Sequence, residues 1–527
     1  MSAHPPPLET PGSEEPAQHR VIGTLVGAFL LLELPLLTSA YRITVDEPWY
    51  SQVAWSVLNK HDLYNHTLGS GGGDVFFLYT GLLALFYKLF GVSLYVGRFL
   101  SVLCGVAAVI GVARVLYSLN VQWKIVMLCT AAFIVSNLSY LTFRTIRPEA
   151  ICAALAIWST WFLLSFLRSH SPRPAALCGL LVGMGILCHP NLTLLATVIG
   201  GVFVADAIRY RKVKPLLAYV ITSGALLLLL PVVIELTRHD GLAGVFADFS
   251  KLDRLTAASQ DDLGFFPTAW NNTTQFAGRM TLGGKRLLIV VVEMGTLCAG
   301  LLLFRRIGVG GVLSFLVAGY LTLALLFFNN FSVRAFTEVE WMLFVVFALL
   351  LKELSASATS SWKPRAAILA FSLLVLNNLA GDLVVMKRGL ATTSYDEINE
   401  HISALVPSNS LVLADQIFWF PLQESRIFNK HSRWHKLDYP NLDTLTGSGD
   451  VEVAIFVDRQ DMEKMMGLGK KGPWSDSTRL QFEHRDAVEA YSKSKGELIE
   501  RFEVAGYGWL NVWGFTNTMN AHEGGGR

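Results

Sequence analysis

VIGTLVGAFLLLELPLLTSA, Val21 to Ala40, with RITVDEPWYSQVAWSVL, Arg42 to Leu58, directly behind it, is the stretch from which the rest of the chain is read. About 20 mostly apolar residues are enough to cross the hydrocarbon core as a helix. The run has no small-residue cleavage site, so it reads as an uncleaved membrane helix rather than a signal peptide. Two adjacent carboxylates, Asp46 and Glu47, therefore stand just past the end of that helix. Pro48 suits a first helical turn. After it, Trp49, Tyr50, Val53, Trp55, Val57 and Leu58 fit an amphipathic helix lying in the interface, where Trp and Tyr collect. The stretch reads as acid/base chemistry held at a membrane surface.

The pattern repeats outward from there. Of 527 residues 52% are hydrophobic and only 16% charged, and apolar runs recur from Val21 to about Met386. That is a polytopic α-helical membrane protein, not a soluble domain. A net charge of +2 with no basic tract leaves no case for nucleic acid. Cys104, Cys129, Cys152, Cys178, Cys188 and Cys298 all fall within apolar runs, so they read as small core residues, not disulfides. No CxxC or HExxH spacing argues for zinc. Carboxylates alone do not require a metal, and a divalent ion is left open.

Charge sets the expected topology. Short basic loops belong in the cytoplasm, and Arg168/Arg173, Arg209–Lys214, Arg305-Arg306 and Lys352 with Lys363/Arg365 all fall on one side. The opposite side then receives the loop Arg144–Glu149, the turn His189-Pro190-Asn191, the segment 236–285, the loop Asn329–Glu340 and everything after Lys387. Asp46 joins that face if the short run Val75–Phe90 lies in the interface as a hairpin. This gives eleven crossings and a disordered, cytoplasmic 1–20. The expected divisions are a membrane module over 21–388, containing outer loops at 41–92 and 236–285, then an extracytoplasmic α/β domain over 389–520 and a disordered tail, 521–527. In the outer domain the patterns predict helices at Asp396–Leu405, Asp461–Met466 and Asp486–Lys495. Strands are expected at Leu411–Ala414, Val451–Asp458, Leu498–Val504 and Trp509–Phe515. The Gly-rich link Gly69–Gly73 lacks the Lys-Ser/Thr of a phosphate-binding loop.

Five groups on the outer face could carry chemistry. Asp46 and Glu47 can take a proton from an attacking hydroxyl or amine; the plain alternative is capping of the helix at Pro48. Arg144, Arg147 and Glu149, in FRTIRPEA, offer guanidinium forks for phosphate oxygens or interfacial anchors. His189 interrupts a long apolar stretch, and taken alone it reads as a satisfied polar residue. Arg334, with Glu338 and Glu340 in SVRAFTEVEW, and Arg98 complete the set. A base, several cations and lipid in one place suit a reaction on a lipid-linked phosphate.

The order of these motifs resembles the polyprenol-phosphate-sugar-dependent glycosyltransferases of the GT-C class, notably the protein O-mannosyltransferases, the lipid-A aminoarabinose transferase and their bacterial relatives. VDEPWYSQVAWSVLNKHDLY is similar to that class's first outer loop. KLFGVSLYVGRFLSVLCG is similar to its hairpin and second membrane helix, and GILCHPNLTLL to its fifth and sixth. YDEINEHISALVPSNSLVLADQIFWFPL resembles the small outer domain of the bacterial relatives. The resemblance implies an inverting transfer of one sugar from a polyprenyl or dolichyl monophosphate. Asp46 would be the base, with Glu47 beside it contacting the acceptor or positioning Asp46. Arg147, His189, Arg334 and Arg98 would lie near the donor phosphate, and Trp49, Tyr50, Arg144 and Glu149 would shape the acceptor side. Where aminoarabinose transferases have Lys-Pro-Pro before the hairpin, this chain has Gly73-Asp74-Val75-Phe76, so that phosphate-contacting Lys is absent. The implied partners are the lipid-phosphate sugar, an acceptor that is a protein, glycan or lipid, and the bilayer. The implied location is the cell inner membrane, with the site facing outward. A transporter or lipid flippase is the other reading; those proteins carry ionisable groups at mid-membrane and repeated halves, whereas the notable charges here sit at helix ends. A bare anchor for the outer domain would not need eleven helices.

Overall fold

The computed structural model describes residues 15–39, 43–44, 46–65, 76–237, 273–274, 287–303, 308–327, 336–356, 362–407, 410–414, 416–423, 426–427, 453–458, 461, 489–490, 492–505 and 507–515. Its helices in chain order are α1 (Glu15–Glu33), α2 (Asp46–Asn59), α3 (Phe77–Phe90), α4 (Leu94–Ser118), α5 (Trp123–Ile134), α6 (Asn137–Thr142), α7 (Glu149–Ser169) and α8 (Pro172–Cys188). They continue with α9 (Leu192–Tyr210), α10 (Lys214–Leu227), α11 (Leu229–Thr237), α12 (Leu287–Leu302), α13 (Val309–Phe327), α14 (Thr337–Ala356), α15 (Trp362–Leu390) and α16 (Tyr395–Leu405). Among the described residues, 6 helical stretches are long and apolar enough to cross a membrane, and shorter apolar helices accompany them. The chain is an integral membrane protein.

α1 departs from the reading of Val21–Ala40. It stops at Glu33, because Pro35 has no N–H to give and its ring would strike the preceding turn. Leu36 then turns the chain with φ 56°. The helix also begins earlier, so residues 15–20 are helical where composition suggested disorder. α3 is 14 residues long, about 21 Å at 1.5 Å per residue, short of the roughly 30 Å core. It lies against α2, α4 and α8, burying Tyr79, Leu83 and Tyr87.

α4 is the spine. It packs on α1, α3, α5 and α7, and Gly97 sets how closely the segment before α7 can approach. A Cβ at Gly97 would stand 2.8 Å from the Tyr87 hydroxyl and closer still to Ile146. The small residue lets Ile146 drop onto α4, beside the start of α2.

Beyond α16 lies a five-stranded sheet, order β2-β1-β3-β5-β4, made of β1 (Leu411–Ala414), β2 (Arg426–Ile427), β3 (Val453–Val457), β4 (Glu497–Val504) and β5 (Gly508–Gly514). β1 runs parallel to β2 and β3, while β5 is antiparallel to β3 and β4. Every residue of β3, Val-Ala-Ile-Phe-Val, is buried, as a central strand covered on both faces requires. Of the two later predicted helices, only 461, 489–490 and 492–495 are described, and they are helical. Arg334, Gly69–Gly73, Arg305-Arg306 and nearly all of 238–285 lie outside the described residues. The chain after α15 is tied to the start of the helical bundle: the Ile43 N–H donates to the Tyr507 hydroxyl at 3.0 Å, and the Thr38 and Ser394 hydroxyls meet at 3.3 Å.

Candidate active site

The two adjacent acids have different fates. Thr44 and Glu47, three residues apart, make the glutamate half of a capping box. The Thr44 N–H donates to Glu47 Oε2 at 2.9 Å, and the Glu47 N–H donates to the Thr44 carbonyl at 3.1 Å. Arg98 then clamps the same carboxylate, Nε to Oε1 at 2.8 Å and Nη2 to Oε2 at 2.9 Å, and the Ile146 N–H adds a bond of 3.1 Å. Both side chains of this pair are fully buried. Burial pushes the Glu47 carboxyl up, but the Arg98 guanidinium and the two backbone N–H groups outweigh it and hold the group below its ordinary value. Arg98 also donates to the Leu37 carbonyl at 2.6 Å.

This geometry revises two expectations. Glu47 is buried against Arg98 rather than set towards an acceptor, and Arg98 is held by Glu47 rather than presented to a donor. Together they tie the end of α1, the start of α2, α4 and the Ile146 loop into one buried joint.

Arg144 is a third revision. Its Nε donates to Glu33 Oε2 at 2.9 Å, Nη1 to the Pro35 carbonyl at 3.0 Å and Nη2 to the Leu32 carbonyl, with its plane over the Tyr140 ring at 4.4 Å. It caps the C-terminal end of α1, where a cation suits the helix dipole, and is buried away from the rim. Its partner Glu33 is hidden, in the sequence, inside the first apolar run.

The rim is built from Asp46, Arg147, Glu149 and His189. Glu149 opens α7 and receives Arg147 along one edge of the guanidinium: Nε at 3.1 Å to both oxygens, and Nη2 to Oε1 at 2.7 Å. Nη1 is left to meet Asp46 Oδ2. Exposure falls steeply across the three: 53% for Asp46, 16% for Arg147 and 2% for Glu149. Asp46 faces outward on the first turn of α2, and Arg147 sits between it and a buried anchor.

An aromatic wall joins this trio to His189. Trp49 and Tyr50 stand edge-on to each other at 5.0 Å, both touch Phe76 (5.9 and 5.5 Å), and Phe76 lies 5.2 Å from the His189 ring. Tyr79 backs Tyr50 at 5.5 Å. Read as sequence, Phe76 is no more than an aromatic residue at the foot of the hairpin. The Asn191 N–H donates to His189 Nδ1 at 3.1 Å. Nδ1 is then the acceptor nitrogen, and the ring proton sits on Nε2. Burial, with Arg147 helping and Glu149 opposing, lowers the imidazole's pKa. His189 is therefore a neutral donor rather than a cation.

Behind Glu149, Glu338 is fully buried and accepts the Tyr320 hydroxyl at 2.9 Å. Among the described residues no three His, Cys, Asp or Glu side chains gather as a metal-ligand set. Asp46 and Glu149, the rim carboxylates a divalent ion would use, both hold Arg147. Chemically, the rim offers one exposed proton acceptor, a cation next to it, one neutral N–H donor and an apolar wall.

Residues 77–234, from α3 into α11, match the family described as dolichyl-phosphate-mannose-protein mannosyltransferase. No curated protein matches the chain. Among solved structures, ArnT from Cupriavidus metallidurans in the apo state superposes with a TM-score of 0.58 at 11% identity, covering 94% of this chain and 98% of that one. The same protein bound to undecaprenyl phosphate gives 0.54 at 10% identity, with 93% and 97% covered. Such identities establish the fold alone, which this chain shares with ArnT, while the family model matches the stretch from α3 into α11.

Proposed function

We propose that the chain moves one sugar from a polyprenyl or dolichyl monophosphate to an acceptor hydroxyl or amine, on the extracytoplasmic face of the cell membrane in which it sits, with inversion at the anomeric carbon. Asp46 accepts the proton of the attacking group. Arg147 takes up the charge that gathers on the departing phosphate, and His189 Nε2–H donates to a phosphate oxygen. Trp49, Tyr50 and Phe76 form the apolar side of the site, with Glu149 behind Arg147. Arg334, in SVRAFTEVEW, is the further candidate cation for the donor phosphate. Residues 389–520 form the outer domain, over a membrane module of eleven crossings. The acceptor is carried by a protein, a glycan or a lipid.

The observation that supports this most is the Asp46–Arg147 ion pair. The proton acceptor and a cation for the leaving group, far apart in sequence, share one open rim. A base alone or a cation alone would fit many membrane proteins. Undecaprenyl phosphate bound to ArnT, a protein of the same fold, supports a lipid phosphate as the carrier.

The test is incubation of the purified protein, in lipid nanodiscs, with radiolabelled polyprenyl-phosphate sugars. Free polyprenyl phosphate should appear with wild type and not with Asp46→Asn. Release by Asp46→Asn at the wild-type rate would overturn the assignment of the base.

A further inference from the structure

We propose that Arg147 is a shared cation: it is paired with Asp46 in the resting enzyme and handed to the donor phosphate on binding, with Glu149 as the positioning residue that holds it throughout. This rests on the reading above, that a lipid-linked phosphate enters this rim.

The division of the guanidinium carries the argument. Glu149 occupies the Nε/Nη2 edge with three contacts between 2.7 and 3.1 Å, and it is 2% exposed. Asp46 holds only Nη1 and is 53% exposed. Buried ion pairs are costly to open, whereas exposed ones are screened by water and worth little. An arriving phosphate oxygen therefore displaces Asp46 and leaves Glu149 in place. Nη1 is the one nitrogen of Arg147 that Glu149 does not hold.

The charges of the reaction run the same way. The acceptor oxygen or nitrogen attacks the anomeric carbon, and the bond from that carbon to the phosphate oxygen breaks. The bonding electron pair leaves with the phosphate, which goes from one negative charge to two. The acceptor's proton goes to Asp46, which goes from one negative charge to none. One unit of negative charge has thus moved from one flank of Nη1 to the other, and a cation fixed from behind serves both states without moving its anchor. Binding order follows. While Asp46 Oδ2 is held by Arg147, that oxygen is engaged, and a seated donor releases it for the acceptor's proton.

The test measures binding of polyprenyl monophosphate to the full chain in nanodiscs, in a double-mutant cycle. Asp46→Asn removes the competitor and should bind about two- to five-fold more tightly than wild type, the value of one exposed ion pair. The gain should vanish on an Arg147→Gln background and on a Glu149→Gln background, since both lose the anchored Nη1. A purely structural role for Glu149 would weaken binding and leave the gain intact. Arg147→Lys, which keeps the charge without the fork, is the second variant if Arg147→Gln fails to fold, and it should show a smaller gain. Equal or weaker binding by Asp46→Asn overturns the handover. A gain that persists with Arg147→Gln also overturns it, because removal of any nearby negative charge would then explain it. Failure of wild type to bind polyprenyl phosphate at all brings down the functional reading itself.

Discussion

Glu47→Gln should unfold the protein more easily without removing its chemistry. The exchange keeps the shape and deletes the charge that neutralises Arg98. Both members of the pair are fully buried, so the mutation leaves a guanidinium in a low-dielectric joint with an amide for a partner. Removing one side of such a pair costs about 3–5 kcal/mol. Replacing one of the oxygens that accept the Thr44 and Ile146 N–H groups adds to the loss. Stability also depends on pH, with a definite sign. The folded carboxyl lies below its ordinary value, so the folded state binds fewer protons than the unfolded one. The contribution is fully present above the ordinary value of about 4.3 and is lost as pH falls through the folded value. Gln, which does not titrate, should flatten that acid limb. The assay is thermal unfolding in detergent at several pH values, alongside the transfer rate per folded molecule at low temperature. Adding Arg98→Met should recover more than half of the lost stability, because the stranded charge goes too. A Glu47→Gln protein as stable as wild type but inactive would refute the argument, and would return Glu47 to the base's position.

Asp46→Asn should do the reverse. Its ion pair is half exposed, so stability should change by under about 1 kcal/mol, while the transfer rate should drop by about 10²–10⁴; both come from one preparation by melting and turnover. Arg144→Gln breaks a buried pair with Glu33 and should cost about 3–5 kcal/mol while leaving the donor KM of the folded fraction unchanged. His189→Gln keeps an N–H where Nε2 stood and should stay within about tenfold of wild type, whereas His189→Ala should lose about 10- to 100-fold, the value of one bond to a charged group. The imidazole's pKa is lowered, so its stability contribution is held above about 6.5 and lost as pH falls below that; the Gln variant should lose less there in pH-dependent melts. Tyr507→Phe strands the buried Ile43 N–H and should cost about 1–3 kcal/mol, read as earlier proteolysis of the outer domain.

Much of the fold was legible because it is written locally. Apolar run length shows the membrane helices, although the run Val21–Ala40 hid the stop that Pro35 imposes on α1. A run of Val, Ile and Phe announces β3. β2 is only Arg426–Ile427, too short to carry a period, and exists because β1 offers it an edge. The site was legible in its parts and not in its partnerships. Thr44-x-x-Glu47 is a capping signature on the page, so Glu47's local task was readable. Its ion partner Arg98 lies a helix and a hairpin away, and nothing local pairs them. Arg144 and Arg147 stand in one short motif and look interchangeable, yet one closes α1 from within and the other reaches the rim. Between helices there is no period from which to tell which way each points.

The Asp-Glu doublet makes sense only as a division between these two kinds of task. A base must be exposed enough to meet an acceptor, which leaves it weakly held. Asp46 is such a group, and the first turn of α2 that carries it is anchored elsewhere. Glu47, one residue on, points the opposite way at the start of the same helix. There it is gripped by Arg98, by the N–H of its own cap and by the N–H of Ile146. Ile146 is in turn the residue before Arg147. One buried carboxylate therefore fixes both ends of the rim pair, the backbone under Asp46 and the backbone under Arg147. A substitution at Glu47 should consequently free the distance between base and cation only once the joint opens, without touching either. That is why its effect on rate should appear only as the joint melts. It is also why the two acids, though adjacent, should not be interchangeable. Combining Asp46→Glu with Glu47→Asp would shorten the buried arm by a methylene and lengthen the exposed one, losing the Arg98 fork where geometry is strictest.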